Sequence, residues 1–118
     1  MNPKVRLALL FGLGIPALAA NAASNHNVVS PAAGVICDMY FCADSSGVSD
    51  ALTTTYLGKE KGKQLAAQGK FNRSAFTFAN GAYCDVNAKV CRKDRYFGDD
   101  GQPSGEIDIT MTNGLFGH

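Results

Sequence analysis

The sequence predicts an α+β fold: a small, disulfide-stabilised antiparallel sheet made of hairpins and packed with one main helix. Three observations carry that prediction. Residues 74–97, SAFTFANGAYCDVNAKVCRKDRYF, read as three short strands separated by two turn signals. The four cysteines fall into two near pairs, Cys37 with Cys42 and Cys84 with Cys91. One stretch, residues 54–68, has the composition of a helix between a threonine that can cap it and Gly69, which suits a left-handed stop.

In the strand region, Asn80-Gly81 between apolar segments is a hairpin signal, because both residue types tolerate the positive φ of a type I′ turn. That turn would set Phe78 opposite Tyr83 and Thr77 opposite Cys84, with Phe76, Phe78 and Tyr83 on one face. Aromatic pairs across strands contribute about 0.2–1 kcal/mol each. A second turn centred on Asn87-Ala88 would set Cys84 opposite Cys91 and Asp85 opposite Val90. Residues 90–97 follow as an edge strand, where Arg92, Lys93, Asp94 and Arg95 discourage pairing with another chain.

The chain opens with Lys4 and Arg6, an apolar run to Leu18 and the small residues ALAANAAS. These are the three parts of a secretory signal, assigned to residues 1–22. Cleavage after Ala22 leaves a more usual spacer beyond Pro16 than cleavage after Ala19. The apolar run is shorter than the ~20 residues a membrane span requires, so no stable membrane insertion is expected after cleavage. No cysteine follows the run, which leaves lipoprotein processing unsupported. Residues 23–33 are expected to be a flexible lead into a single domain at 34–118. With 11 basic and 10 acidic side chains, two of the basic ones inside the signal, the chain offers no charge excess for nucleic-acid binding.

Four cysteines in a small exported chain imply a disulfide framework. Local pairing, Cys37–Cys42 and Cys84–Cys91, fits the hairpin geometry. Pairing between the halves, Cys37–Cys84 with Cys42–Cys91, is the alternative. Zinc held by four thiolates fits less well, given the spacings and an oxidising compartment.

The two cysteine regions also echo one another. Gly34-Val-Ile-Cys37-Asp38 matches Gly81-Ala-Tyr-Cys84-Asp85, and Tyr40-Phe41 is echoed by Tyr96-Phe97. Each half then reaches a serine, Ser49 or Ser104, and a threonine-to-glycine ending, Thr53 to Gly58 against Thr112 to Gly117. A pseudo-repeat of strand, turn, strand and helix start follows. In the helix at 54–68, Gly58, Gly62 and Ala66 form a stripe of small residues suited to close approach to a sheet, beside Leu57 and Leu65. Residues 106–109 are expected to form a last strand after a Gly/Pro/Asp turn cluster at 99–105. Asn72-Arg-Ser74 matches a glycosylation sequon, a chance match in a chain with a bacterial-looking signal.

At YFCAD (residues 40–44), LTTTYLGK (52–59), AFTFANGAYCD (75–85) and CRKDRYF (91–97), with the closing SGEID and LFG, the chain resembles the YcgJ family, also described as Fels prophage protein-like. The resemblance covers nearly the whole chain from Gly34. It implies a small exported bacterial protein with paired cysteines, of a kind found in chromosomes and prophages. It brings no catalytic or ligand residue with it.

The chemistry-bearing residues favour a non-enzyme. His26 and His118 stand at the two ends of the mature chain, poorly placed for general-base work. No Cys-x-x-Cys is present for disulfide exchange. Asp94, Asp99, Asp100, Glu106 and Asp108 could serve glycoside hydrolysis in principle, and Asp99, Asp100 and Glu106 could serve calcium, but the loop lacks regular alternate ligands. A solvated turn is the favoured reading of that cluster. No cofactor or metal is called for.

Among binding features, Lys59, Lys63, Lys70 and Arg73 lie to one side of the helix and its exit. Of the pairs Tyr40-Phe41 and Tyr96-Phe97, one exposed member from each would make an aromatic patch suited to a protein or glycan partner, although filling a small core is the commoner use of such residues. Arg95-Tyr96-Phe97, beside the acidic turn, is the expected working surface. The sequence therefore reads as a periplasmic or secreted binding or envelope-accessory protein. Its partner is another envelope, host or phage protein, with inhibition of a host or phage enzyme as one form of that role. A structural or stress-protective envelope protein and a small hydrolase are the competing readings.

Overall fold

The structure, a computed structural model, describes residues 28–117. The expected signal at 1–22 lies outside them, as do His26 and His118. Strands β1 (Val29–Ala32), β2 (Val35–Cys37), β3 (Cys42–Asp44) and β4 (Gly47–Ser49) form one antiparallel sheet in that order. Helices α1 (Asp50–Leu57) and α2 (Lys59–Ala67) follow. Strands β5 (Ala75–Thr77), β6 (Tyr83–Asp85) and β7 (Val90–Arg92) form a second antiparallel sheet, and helix α3 (Ile109–Phe116) closes the fold. The disulfide-stabilised α+β class is observed, with two small sheets and three short helices sharing the roles expected of one sheet and one main helix. Paired structure also starts ahead of Gly34, because β1 falls within residues 23–33.

The second sheet contains the expected cysteine pair in a hairpin whose first turn differs from expectation. The Phe78 N–H donates to the Ala82 carbonyl (2.9 Å) and the Gly81 N–H to the Phe78 carbonyl (2.8 Å). Gly81 has φ 92°, whereas Lys89 is the one positive-φ residue other than glycine among the described residues. The turn is therefore a three-residue loop with a glycine bulge, because type I′ would require positive φ at Asn80 as well. Asn80 Oδ1 instead accepts the Ala82 N–H at 3.0 Å.

The extra loop residue moves the register by one. Phe76 now faces Cys84, and Thr77 faces Tyr83. Tyr83 consequently leaves the face of Phe76 and Phe78 and meets Phe97, with ring centroids 6.1 Å apart. Phe41, from the loop between β2 and β3, takes its place, edge-on to Phe76 at 5.9 Å and stacked on Phe78 at 5.1 Å. The second turn follows expectation, with Cys84 opposite Cys91 and Asp85 opposite Val90. Lys89 takes φ 57°, and Asp85 Oδ1 accepts the N–H groups of Asn87 and Ala88.

The helical region begins earlier than residue 54 and is broken at Gly58, at φ 100° and ψ 164°. Ser49 caps α1, its hydroxyl accepting the Leu52 N–H at 3.0 Å. A β-carbon at Gly62 would collide with Thr54, so Gly62 serves the crossing of α2 on α1 rather than approach to a sheet. Gly69, at φ 71°, stops α2 as expected.

One buried cluster joins both sheets to α2 and α3: Ile36, Ala43, Leu65, Phe76, Phe78, Cys84, Cys91 and Leu115 are among its members. A smaller cluster of Val35, Cys37 and Cys42 lies with Leu52 and Leu57 of α1.

The expected last strand at 106–109 shrinks to a bridge between Ile107 and Arg92 before α3 begins. Asp108 ends it by capping the helix, with Oδ1 accepting the Met111 N–H at 3.1 Å. The Lys93 N–H donates to the Glu106 carbonyl and the Asp108 N–H to the Cys91 carbonyl, so residues 106–108 cover the outer side of β7. The strand expected over 90–97 stops at Arg92. No helix among the described residues is long and apolar enough to cross a membrane.

Candidate functional site

Both disulfides are local, Cys37–Cys42 and Cys84–Cys91, each with a Cα–Cα distance of 4.0 Å. Their equivalence extends well beyond the cysteines. The Cys42 N–H donates to Thr53 Oγ1 at 2.9 Å, and the Cys91 N–H to Thr112 Oγ1 at 2.8 Å. With those amides turned away from their cysteine partners, each disulfide occupies a non-hydrogen-bonded strand pair, where side chains come closest. Cys42 also pairs with the cap residue Ser49, just as Cys91 accepts from the cap residue Asp108. Each threonine stands four residues beyond its cap, in a helix of eight residues ending at Gly58 or Gly117.

The molecule thus contains the same unit twice: a stapled hairpin, a further strand segment, and a helix whose threonine holds the second cysteine's amide. The threonine-to-glycine echo in the sequence aligns as expected. Two other parts of the echo do not. Ser49 corresponds to Asp108 rather than Ser104, and Tyr40-Phe41 lies between its cysteines whereas Tyr96-Phe97 follows both.

The copies differ in how the second cysteine's strand returns. In the first, Asp44 pairs with Gly47 across Ser45-Ser46. In the second, Lys93 reaches Glu106 only after an excursion of residues 94–105. Internal bonds order that excursion. Phe97 pairs with Pro103, the Ser104 N–H donates to the Tyr96 carbonyl, and the Gly98 N–H donates to the Gln102 carbonyl. Asp94 Oδ1 accepts the Tyr96 N–H, and Asp100 Oδ1 accepts the Gln102 N–H. At the neck, the Arg92 guanidinium donates to the Gly105 carbonyl at 2.8 Å, and a β-carbon at Gly105 would lie 2.7 Å from Asp94 Oδ1.

Held this way, Tyr96 is 66% exposed and Phe97 54%. A cleft of about 340 Å³ separates Thr77, Ala79 and Gly81 from Lys93, Arg95 and Tyr96. Arg95, Tyr96 and Phe97 are therefore brought together on one ordered, protruding element.

The first aromatic pair lies elsewhere. Tyr40 is 58% exposed and Phe41 is packed against the core, so one member of this pair reaches the surface. Tyr40 and Phe41 instead border a second groove, of about 450 Å³, whose other walls include Leu65, Phe71 and Phe76. Nothing in the linear order of Phe71 and Phe76 marked them as groove residues, since the groove forms only when α2 is laid beside the β2–β3 loop.

The acidic residues are dispersed among structural tasks. Asp94 and Asp100 hold turns, Asp108 caps α3, and Glu106 lies 3.6 Å from Lys93. Asp99 is exposed. Among the described residues no three His, Cys, Asp or Glu side chains converge as a metal site. Asn72, of the sequon, accepts the N–H groups of Ser74 and Ala75 through Oδ1. Asp38, to which the sequence assigned no role, is 4% exposed. Its Oδ1 accepts from Tyr40 and Phe41, and its Oδ2 from Ala79 in the other half of the molecule at 2.7 Å.

Comparison with known proteins adds a family. The family model described as "YcgJ protein" matches residues 28–116. A curated protein of Escherichia coli strain K12, "Uncharacterized protein YcgJ", is 52% identical over 87 residues, covering 74% of this chain and 71% of its own. No solved structure matches the chain.

Proposed function

The chain belongs to the YcgJ family, and from that premise we propose that it is an exported, non-catalytic binding protein. Its recognition element is the excursion at 94–105, with Tyr96 and Phe97 as anchors flanked by Arg95. Its partner is another envelope, host or phage protein. The observation that carries this reading is the difference between two otherwise equivalent units: one returns through Ser45-Ser46, the other through an ordered loop presenting two exposed aromatic side chains. Large aromatic residues held rigidly on a loop, next to arginine, match the composition of interface hot spots. Turn bonds that pre-order the loop reduce the entropy lost on binding.

Export is supported by the leader-like first 22 residues and by two disulfides, which persist in oxidising compartments. Against catalysis stands the use of Asp94, Asp100, Asp108 and Glu106 as turn, cap and ion-pair groups, and of every cysteine in a disulfide.

The test is affinity capture from envelope extracts with the mature protein. A stoichiometric partner should be retained by the wild type and lost on combined Tyr96→Ala and Phe97→Ala substitution. Turnover of a substrate in a broad hydrolase screen, abolished by Asp99→Asn or Asp100→Asn, would overturn the reading.

A further inference from the structure

The groove beside α2 is remote in sequence from the excursion and differs from it in chemistry. Its walls are aromatic, yet two of its rings already carry cations of the protein itself. Lys61 Nζ stands 5.5 Å from the centroid of Tyr40, and the Arg73 guanidinium 4.4 Å from that of Phe71. Lys61, Leu65 and Gln68 follow helical spacing along α2, which directs them to a common side, and Leu65 and Gln68 both line the groove. Between residues 59 and 73 the chain has five basic side chains and one acidic, Glu60. Arg73 is neutralised by Asp50 at 3.0 Å. Among the described residues Lys61, over the Tyr40 ring at the groove, has no such carboxylate partner, while Lys59 and Lys63, two positions to either side, fall on the opposite face of α2.

We infer that this groove is a second binding site, for an acidic peptide segment that seats one apolar side chain against Phe41, Phe71 and Phe76 and places a carboxylate at Lys61. The unpaired Lys61 beside Tyr40 selects the sign of the occupant, and the aromatic walls select its apolar anchor. The groove's form selects a peptide over an acyl chain. With Tyr40 and Phe71 standing partly in solvent along it, the groove is an open trough that cannot enclose a long chain. This inference does not depend on the excursion at 94–105.

The experiment uses the mature full-length protein, isotope-labelled, and follows amide shifts by NMR. The probes are a hexapeptide with one leucine between two pairs of glutamates, the same peptide with lysines for glutamates, and laurate. The acidic peptide should shift amides around Leu65, Phe71 and Phe76 and bind about 2- to 5-fold more tightly than the basic one, the range expected of one exposed charge pair. Lys61→Glu, on the surface of α2, should abolish or reverse that preference while leaving the remaining spectrum in place. Equal binding of both peptides, binding of laurate alone, or shifts confined to residues 94–105 would overturn the assignment. The last of these results would leave the role proposed for the excursion standing, and failure of partner capture would leave the groove standing.

Discussion

The two stapled hairpins begin from the same covalent device and end in different situations. Cys37–Cys42 closes a loop of sequence separation 5 and Cys84–Cys91 one of separation 7. On chain-entropy grounds each contributes about 2 kcal/mol, and the difference between them is only a few tenths, roughly 0.3 kcal/mol. Their surroundings are far less alike. Cys84 and Cys91 belong to the cluster that joins both sheets to α3, whereas Cys37 and Cys42 form a satellite with Val35 under α1. The aspartates that follow the first cysteines diverge in the same manner. Asp85 holds its own turn at the surface, while Asp38 is buried and reaches across to Ala79. The same parts occur twice, and the position of each unit in the common core decides what each part does.

The largest expected effect follows from that asymmetry. Replacing Cys84 and Cys91 by alanine should cost about 4 kcal/mol, against about 2 kcal/mol for Cys37 and Cys42, because a disulfide's removal also disturbs whatever packs on it. Chemical denaturation of the two double variants measures both, and equal losses would mean that the core makes no distinction between the staples.

Next in size is the pair of aspartates. Asp38→Ala leaves three backbone N–H groups without their acceptor and should destabilise by about 2–3 kcal/mol, while Asp85→Ala should cost no more than about 1 kcal/mol. If urea midpoints place the two variants together, the bond across to Ala79 is not a link between the halves.

The threonines sharpen the likeness rather than the contrast. Thr53→Val and Thr112→Val each strand a cysteine amide, at about 1–2 kcal/mol, with the larger loss at the fully buried Thr53. Hydrogen exchange should locate the new opening at Cys42 in one variant and at Cys91 in the other. Exchange that is unchanged at both amides would remove the threonine bond from the shared unit.

The smallest effect belongs to the excursion. Tyr96→Ala should alter stability by no more than about 0.5 kcal/mol, as for an exposed side chain outside the core. A larger loss in a thermal melt would assign Tyr96 to the fold and weaken the anchor role proposed for it.

Much of the architecture follows from local chemistry that the sequence carries openly. The turn at Asn87-Ala88 sets Cys84 opposite Cys91, so the spacing favoured local pairing, and the structure decided it over pairing between the halves. The glycine stop at Gly69 is equally local. By contrast, the competition at Asn80 between a type I′ turn and a bulged loop is settled by where Phe76 and Phe78 must point. The bulge turns them toward Phe41, which is distant in sequence, and sends Tyr83 to Phe97. Gly58 breaks the helix because α2 must fold back on α1, where Gly62 meets Thr54. Residues 106–109 share the composition of a strand, but Asp108 caps a helix that packs into the core through Met111 and Leu115.

The site was legible to the same degree. Arg95, Tyr96 and Phe97 stand out in the linear sequence, but their exposure depends on the bonds that order residues 94–105. The repeat was visible in its cysteines and endings, and its alignment through Ser49 and Asp108 needed coordinates, because a cap is defined by a hydrogen bond rather than by a residue type. The sequence by itself determined the class of fold, a preference for local disulfides, and the turn and stop whose energetics lie within a few residues. Tertiary structure alone decided the helix break, the buried role of Asp38, the split between core and exposed aromatics, and the groove beside α2. The physical reason is that each of these rests on burial between elements that are separate in the chain, a free energy that no element has until they meet.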